Sequence, residues 1–97
     1  MPLTPKQRQF LKGKGHSLKP VIIIGKDRIS KCVIDSIAKA LDDHELIKVG
    51  LLETAELDRQ ETAELLSSEL KADVVQVIGF KILLYKRRQK DPKIVLP

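Results

Sequence analysis

Lys26 and Arg28 stand two residues apart, on either side of Asp27 and directly after Gly25. Cations in this setting bind anions. Ahead of them Val21-Ile22-Ile23-Ile24 is a run of four β-branched residues, which reads as a strand buried on both faces. Behind them Ser30 is suited to cap a helix. A strand that stops at glycine and hands over to a helix start leaves backbone N–H groups unpaired, and phosphate commonly settles there. Covalent catalysis finds no comparable support. His16 and His44 fall in separate connections, Cys32 is the only cysteine, and the carboxylates are scattered. No phosphate-loop or metal-ligand spacing occurs. The expectation is therefore a binding protein, not an enzyme, with no cofactor and no metal. His16 reads as bonded to loop backbone, and Cys32 as a small packed or half-buried side chain.

Charge is segregated along the chain. Residues 1–31 hold eight Lys or Arg against one acid, residues 32–73 four against eleven, and residues 74–97 six against one. Two basic ends enclose an acidic middle. If the fold brings the ends together, one face becomes cationic, which is the footprint of a nucleic-acid binder. Ninety-seven residues suit one domain, 1–97, with a basic tail from about residue 86. One cysteine excludes a disulfide within the chain. No apolar run approaches a membrane span, and Lys6, Arg8, Lys12 and Lys14 interrupt any signal core. A soluble, cytoplasmic monomer with no membrane contact and no small-molecule substrate is expected.

The elements that must position the cations are legible from caps and periodicity. Thr4-Pro5-Lys6-Gln7 opens a first helix through a capping box with proline at its first position. Phe10 and Leu11 form its buried side, and Gly13 and Gly15 end it. A second helix runs from about Ser30 to Asp43 on a stripe of Ile29, Val33, Ile37 and Leu41. Leu46 to Leu52 is a strand with Ile47, Val49 and Leu51 on one face and Lys48 and Gly50 on the other. Strand, helix and strand make a βαβ unit with parallel strands. Asp58 with Glu61 caps a third helix reaching about Lys71, with Ala63, Leu66 and Leu70 inward and Glu61, Glu64 and Glu69 outward. Val74 to Ile78 and Lys81 to Tyr85 form a hairpin across Gly79-Phe80, a type II′ signal. Ile94-Val95-Leu96 either covers an apolar patch or pairs weakly. The order α-β-α-β-α-β-β is an α/β fold with a mixed four-stranded sheet packed by helices.

With these motifs placed, Gln9-Phe10-Leu11-Lys12-Gly13 through His16, Leu18-Lys19-Pro20-Val21 and Gly25-Lys26 resemble the start of the CRM domain (chloroplast RNA splicing and ribosome maturation). His44-Glu45-Leu46-Ile47-Lys48-Val49, Val77-Ile78-Gly79 and Leu83-Leu84-Tyr85-Lys86 continue the likeness in order, over nearly the whole chain. It is nearest to the bacterial single-domain YhbY-type members. The resemblance implies a fold like the C-terminal domain of translation initiation factor three. It also implies RNA binding, with ribosomal RNA in precursors of the large subunit as partner. The family loop after the first strand is Gly-x-x-Gly, likened to the RNA-gripping loop of KH domains. Here it reads Gly25-Lys26-Asp27-Arg28. Either the loop takes another shape, or Arg28 replaces backbone closeness with a bidentate phosphate contact.

The residues expected to touch RNA are Lys6, Arg8, Lys12, Lys14, Lys19, Gly25, Lys26, Arg28, Lys31, Lys81, Lys86, Arg87 and Arg88. Helix one, the Gly25–Arg28 loop and the end of the last strand are expected on one face. Phe10, Phe80 and Tyr85 are the only aromatics, too few for a base-stacking platform, so phosphates and RNA shape are the expected contacts. Two other classes fit the same composition. One is an Alba-like DNA- or RNA-binding protein, distinguished by binding duplex DNA. The other is an adaptor whose acidic third helix meets a basic protein, distinguished by surviving neutralisation of the basic ends.

Overall fold

A four-stranded sheet in the order β1-β2-β4-β3 organises the molecule. The computed structural model describes residues 3–25, 30–53, 57–87, 94 and 96. In chain order the elements are α1 (Pro5–Gly15), β1 (Ile22–Ile24), α2 (Lys31–His44), β2 (Leu46–Leu51), α3 (Arg59–Leu70), β3 (Asp73–Ile78) and β4 (Lys81–Tyr85). β1 runs parallel to β2, with Ile24 opposite Leu51. β4 is antiparallel to both neighbours, pairing Leu46 with Tyr85 and Ile78 with Lys81. The sheet is mixed, as the order of elements required.

Local chemistry explains where the helices start. Thr4 accepts from the Gln7 amide and the Gln7 side chain accepts from the Thr4 amide, both at 3.1 Å. Ser30 caps α2 by accepting from Val33 N at 3.3 Å, and Asp58 caps α3 by accepting from Glu61 N at 2.9 Å. Each bond satisfies an amide that has no partner within its helix. Gly79 takes φ 57°, and Phe80 is not among the positive-φ residues. That combination is the type II′ turn that suits the twist of a hairpin.

Both faces of the sheet are covered, unequally. Ile47, Val49, Leu51, Ile82 and Leu84 meet Ile37 and Leu41 of α2 and Ala63, Leu66 and Leu70 of α3. The alternate residues Leu46, Leu83 and Tyr85 join Val75 under Leu11 of α1. A shift of register between Val74 and Gln76 turns Val75 into this second cluster. Ile94 and Leu96 pack on it, half-buried, so the apolar tail covers a patch; Val95 lies outside the described residues. Ile94 N reaches Glu45 Oε1 at 3.3 Å. Glu45 itself is fully buried, at φ 65°, where α2 turns into β2.

Four expectations change. The Val21–Ile24 run is not buried on both sides: β1 is an edge strand, and Ile23 stays 61% exposed while Ile24 is enclosed. α1 packs over β2 and β3 and leaves that face of β1 open. Phe10 is exposed; only Leu11 of the pair points inward, because adjacent helical residues lie about 100° apart. Gly13 does not end α1, which continues through Gly15. Cys32 is exposed rather than packed.

Tyr85 offers a check on the second cluster. Its hydroxyl is enclosed with no hydrogen-bond partner among the described residues. Burial first, then the Glu45 carboxylate, raises its pKa above the ordinary tyrosine value. A raised acid favours the neutral form in the fold, so the contribution is intact below pH ~10 and declines as pH rises through the folded value. Urea unfolding between pH 9 and 11.5 should show stability falling by up to about 1.4 kcal/mol per pH unit above ~10. Tyr85→Phe should remove that part of the fall. Parallel pH profiles for the two proteins would show that the hydroxyl is hydrated.

Candidate nucleic-acid interface

The strand ends sort the cations into groups. β1 leaves the sheet at Gly25, at the end where β2 stops and β4 begins. α2 starts at this end and delivers His44 to β2 at the other. α3 starts here too, since Arg59 Nη1 donates to the Gly79 carbonyl at 2.8 Å. Three exposed cations, Lys31, Lys81 and Arg59, therefore share the end that carries Gly25. The N-terminal dipoles of two helices add to their field. Gly25 is half-buried, and a Cβ there would lie 3.0 Å from Leu52 Cδ1. Lys26, Arg28 and Ile29 lie outside the described residues.

Arg59 was not among the expected contacts. Its guanidinium stands 5.4 Å from the centre of the exposed Phe80 ring, a cation–π distance. Counting residues 32–73 as an acidic block hid it. Only the helix start next to the hairpin turn shows which way it faces.

A second group follows α1. Lys6 and Lys14 are exposed and Lys12 is half-buried. Lys14 Nζ lies 5.5 Å from the Phe10 ring centre. Lys19 is exposed in the connection to β1, and Lys48 of β2 emerges half-buried on the α1 side of the sheet. Arg8 is set apart. Its Nη1 donates to the Val74 carbonyl at 2.5 Å and the Val75 carbonyl at 3.1 Å, tying α1 to the irregular register of β3. Arg8→Met should cost about 1–2 kcal/mol in chemical unfolding, by leaving partly buried carbonyls without this partner. Lys6→Met, on the exposed side of the same helix, should change stability by less than about 0.5 kcal/mol. Equal values for the two variants would show that the guanidinium is not structural.

The remaining expected contacts are not brought to the Gly25 end. Lys86 and Arg87 follow Tyr85, which pairs with Leu46 at the opposite end of the strands. The cause is topological: β4 runs antiparallel to the strand beside β1, so its last residue lies farthest from Gly25. Arg88 lies outside the described residues. Most exposed acids lie along α2 and α3, among them Asp35, Asp42, Glu64 and Glu69, while Asp58 and Glu61 at the start of α3 share the Gly25 end with Arg59. Among the described residues, no group of three His, Cys, Asp or Glu side chains could hold a metal, and no helix is long and apolar enough to cross a membrane.

The sequence and the fold are both similar to those of known proteins. The chain matches the CRS1 / YhbY (CRM) domain over residues 3–86. It is 41% identical over 95 residues to Probable RNA-binding protein YqeI of Bacillus subtilis, covering 98% of this chain and 99% of that one. It is 38% identical over 93 residues to Probable RNA-binding protein PA4753 of Pseudomonas aeruginosa, covering 96% and 89%. The solution structure of a hypothetical protein from Staphylococcus aureus, provisionally described as RNA-binding, superposes with a TM-score of 0.83 at 38% identity over 98% of this chain and 99% of that one. A domain match across nearly all the described chain, near-full-length relatives and a shared three-dimensional structure agree: this protein belongs to the CRS1/YhbY (CRM) domain family.

Proposed function

We propose that the protein binds structured ribosomal RNA in precursors of the large ribosomal subunit and assists their assembly. It acts as a monomer in the cytoplasm, without cofactor or catalysis. The observation that carries the reading is the partition of exposed charge. Lys31, Arg59 and Lys81 gather at the Gly25 end, where Asp58 and Glu61 of the α3 start also lie, and Lys6, Lys14, Lys19 and the half-buried Lys12 follow the α1 side, while Asp35, Asp42, Glu64 and Glu69 lie further along α2 and α3. Lys86 and Arg87 extend the contact from the far end. The naming of the relatives as RNA-binding proteins supports the choice of nucleic acid. Exposed rings are few, and Phe10 and Phe80 each lie under a cation of this chain. Affinity then comes from phosphates and helical shape rather than from stacked bases.

Four to six phosphate contacts should make log K fall against log salt with a slope of about −3 to −5, at ~0.7–0.9 per phosphate. The measurement is fluorescence anisotropy on a large-subunit RNA fragment from 50 to 300 mM potassium chloride. An affinity nearly independent of salt would overturn the phosphate reading. Crosslinking in cells identifies the RNA. Recovery of messenger or transfer RNA instead of ribosomal precursors would overturn the assembly role.

A further inference from the structure

Away from the Gly25 end, the α1–β1 connection, the last residue of α2 and the first half of β2 enclose a cleft of about 480 Å³. That size falls within the range of about 300–1,000 Å³ occupied by small-molecule sites. Its polar wall is Lys14, Ser17, Lys19, Lys48 and His44. Among the described residues no carboxylate lines it. The rest of its lining is apolar, with Leu18 and Val21 exposed and Leu46 and Ile47 buried.

Each side of this composition has a physical consequence. Three lysines line one opening with no carboxylate among its described residues, so an anion there is attracted by Lys19 and Lys48 and by Lys14, whose ammonium stands over the Phe10 ring. Lys48 belongs to the sheet rather than to a loop, and Val21 N bonds its carbonyl at 2.9 Å. That bond fixes the connection bearing Lys19 against the strand bearing Lys48. Cations held by a scaffold lose less freedom on binding than cations on a tail. An inorganic ion alone would leave the exposed Leu18 and Val21 facing water. A ligand that satisfies both walls has a phosphate at one end and a flat, weakly polar body at the other.

We propose that this cleft binds one phosphorylated nucleoside, its phosphate among Lys14, Lys19 and Lys48 and its base against Leu18 and Val21. The nucleotide is either one turned out of a bound RNA, which rests on the function proposed above, or a free mononucleotide. The site is separate from the Gly25 end and takes a single unit where that end meets a backbone.

Titration of the isotope-labelled full chain with adenosine 5′-monophosphate, followed by amide NMR shifts, tests the site directly. Saturable shifts confined to Ser17, Leu18, Lys19 and Lys48 are expected. Adenosine and inorganic phosphate should each bind at least about fivefold more weakly, since each engages one wall. Ser17→Trp fills the cleft without altering charge and should abolish these shifts. Lys19→Ala should weaken them several-fold and serves if the tryptophan variant fails to fold. The same variants are then compared in anisotropy with RNA. A loss of at least about threefold in RNA affinity for Ser17→Trp assigns the site to a nucleotide of bound RNA. Unchanged RNA affinity with localised mononucleotide shifts assigns it to a free nucleotide. Shifts that are absent, or spread evenly over every basic segment, overturn the site, even where the parent protein binds RNA normally. A parent that binds no RNA but shows the localised shifts overturns the proposed function and leaves the site standing.

Discussion

A Lys31→Glu/Lys81→Glu protein is expected to bind ribosomal RNA on the order of 100-fold more weakly than the parent and to be as stable. Each charged hydrogen bond to phosphate contributes roughly 1.5–3 kcal/mol, and about 1.4 kcal/mol is tenfold in affinity. Both lysines are exposed and lie outside the two buried clusters. Lys31 is the first residue of α2, whose first turn holds no acid. Glutamate there interacts favourably with the helix dipole, by about 0.3–1 kcal/mol. Folding and binding are therefore pushed in opposite directions by one substitution. Lys39→Glu/Lys71→Glu makes the same change in net charge on the α2–α3 side, and its loss should stay below about threefold. Anisotropy at fixed salt compares the two. Equal losses would mean that net charge matters and the Gly25 end does not.

The largest effect on stability is expected at Gly15. A Cβ built there would stand 2.4 and 2.7 Å from the two methyl carbons of Leu83 and 3.1 Å from its Cγ. Leu83 is itself enclosed between α1 and the sheet, so its methyls have nowhere to retreat. Gly15→Val forces α1 away from β4 and should cost about 2–3 kcal/mol, the upper part of the range for overpacking. Gly13, two residues earlier in α1, has nothing within 4 Å of a Cβ. Gly13→Ala should stabilise by about 0.5–1 kcal/mol, because alanine is the better helix former. Urea unfolding of both variants decides the matter. A harmless Gly15→Val would show that α1 docks more loosely than its contact with Leu83 implies.

The two glycines also show what a sequence does and does not disclose. Both look like helix breakers when read locally, yet one is a neutral interior position and the other a point of close approach. Close approach is a fact about Leu83, 68 residues further on, and no local signal carries it. Features set by neighbours in the chain were legible: the Thr4, Ser30 and Asp58 caps, the Gly79 turn, and the inward stripe of Ala63, Leu66 and Leu70. The depth of β1 was not. Four β-branched residues say that a strand forms, but whether it lies inside the sheet or at its edge depends on what the other strands do. The site divides the same way. Lys31 and Lys81 were chosen by charge and loop position, and the fold brings them to one end. Arg59 was hidden by its acidic neighbours. Lys86 and Arg87 were expected on the same face as the Gly25 loop, and the direction of β4 sets them at the opposite end of the strands.

The position of β4 constrains how the chain is made. The last strand in sequence lies inside the sheet, paired on both sides, while the first lies at its edge. α1 docks on Val75 and Leu83, and β1 on residues 49–51. During synthesis from the N-terminus, β1 can pair as soon as residues 49–51 of β2 emerge, whereas α1 lacks Val75 and Leu83 until the C-terminal hairpin has appeared. The cations of α1 are therefore fully held in place only once β4 is made. A nascent chain lacking β4 presents the α1 charges without their full scaffold, and rigid recognition begins only after β4 has emerged.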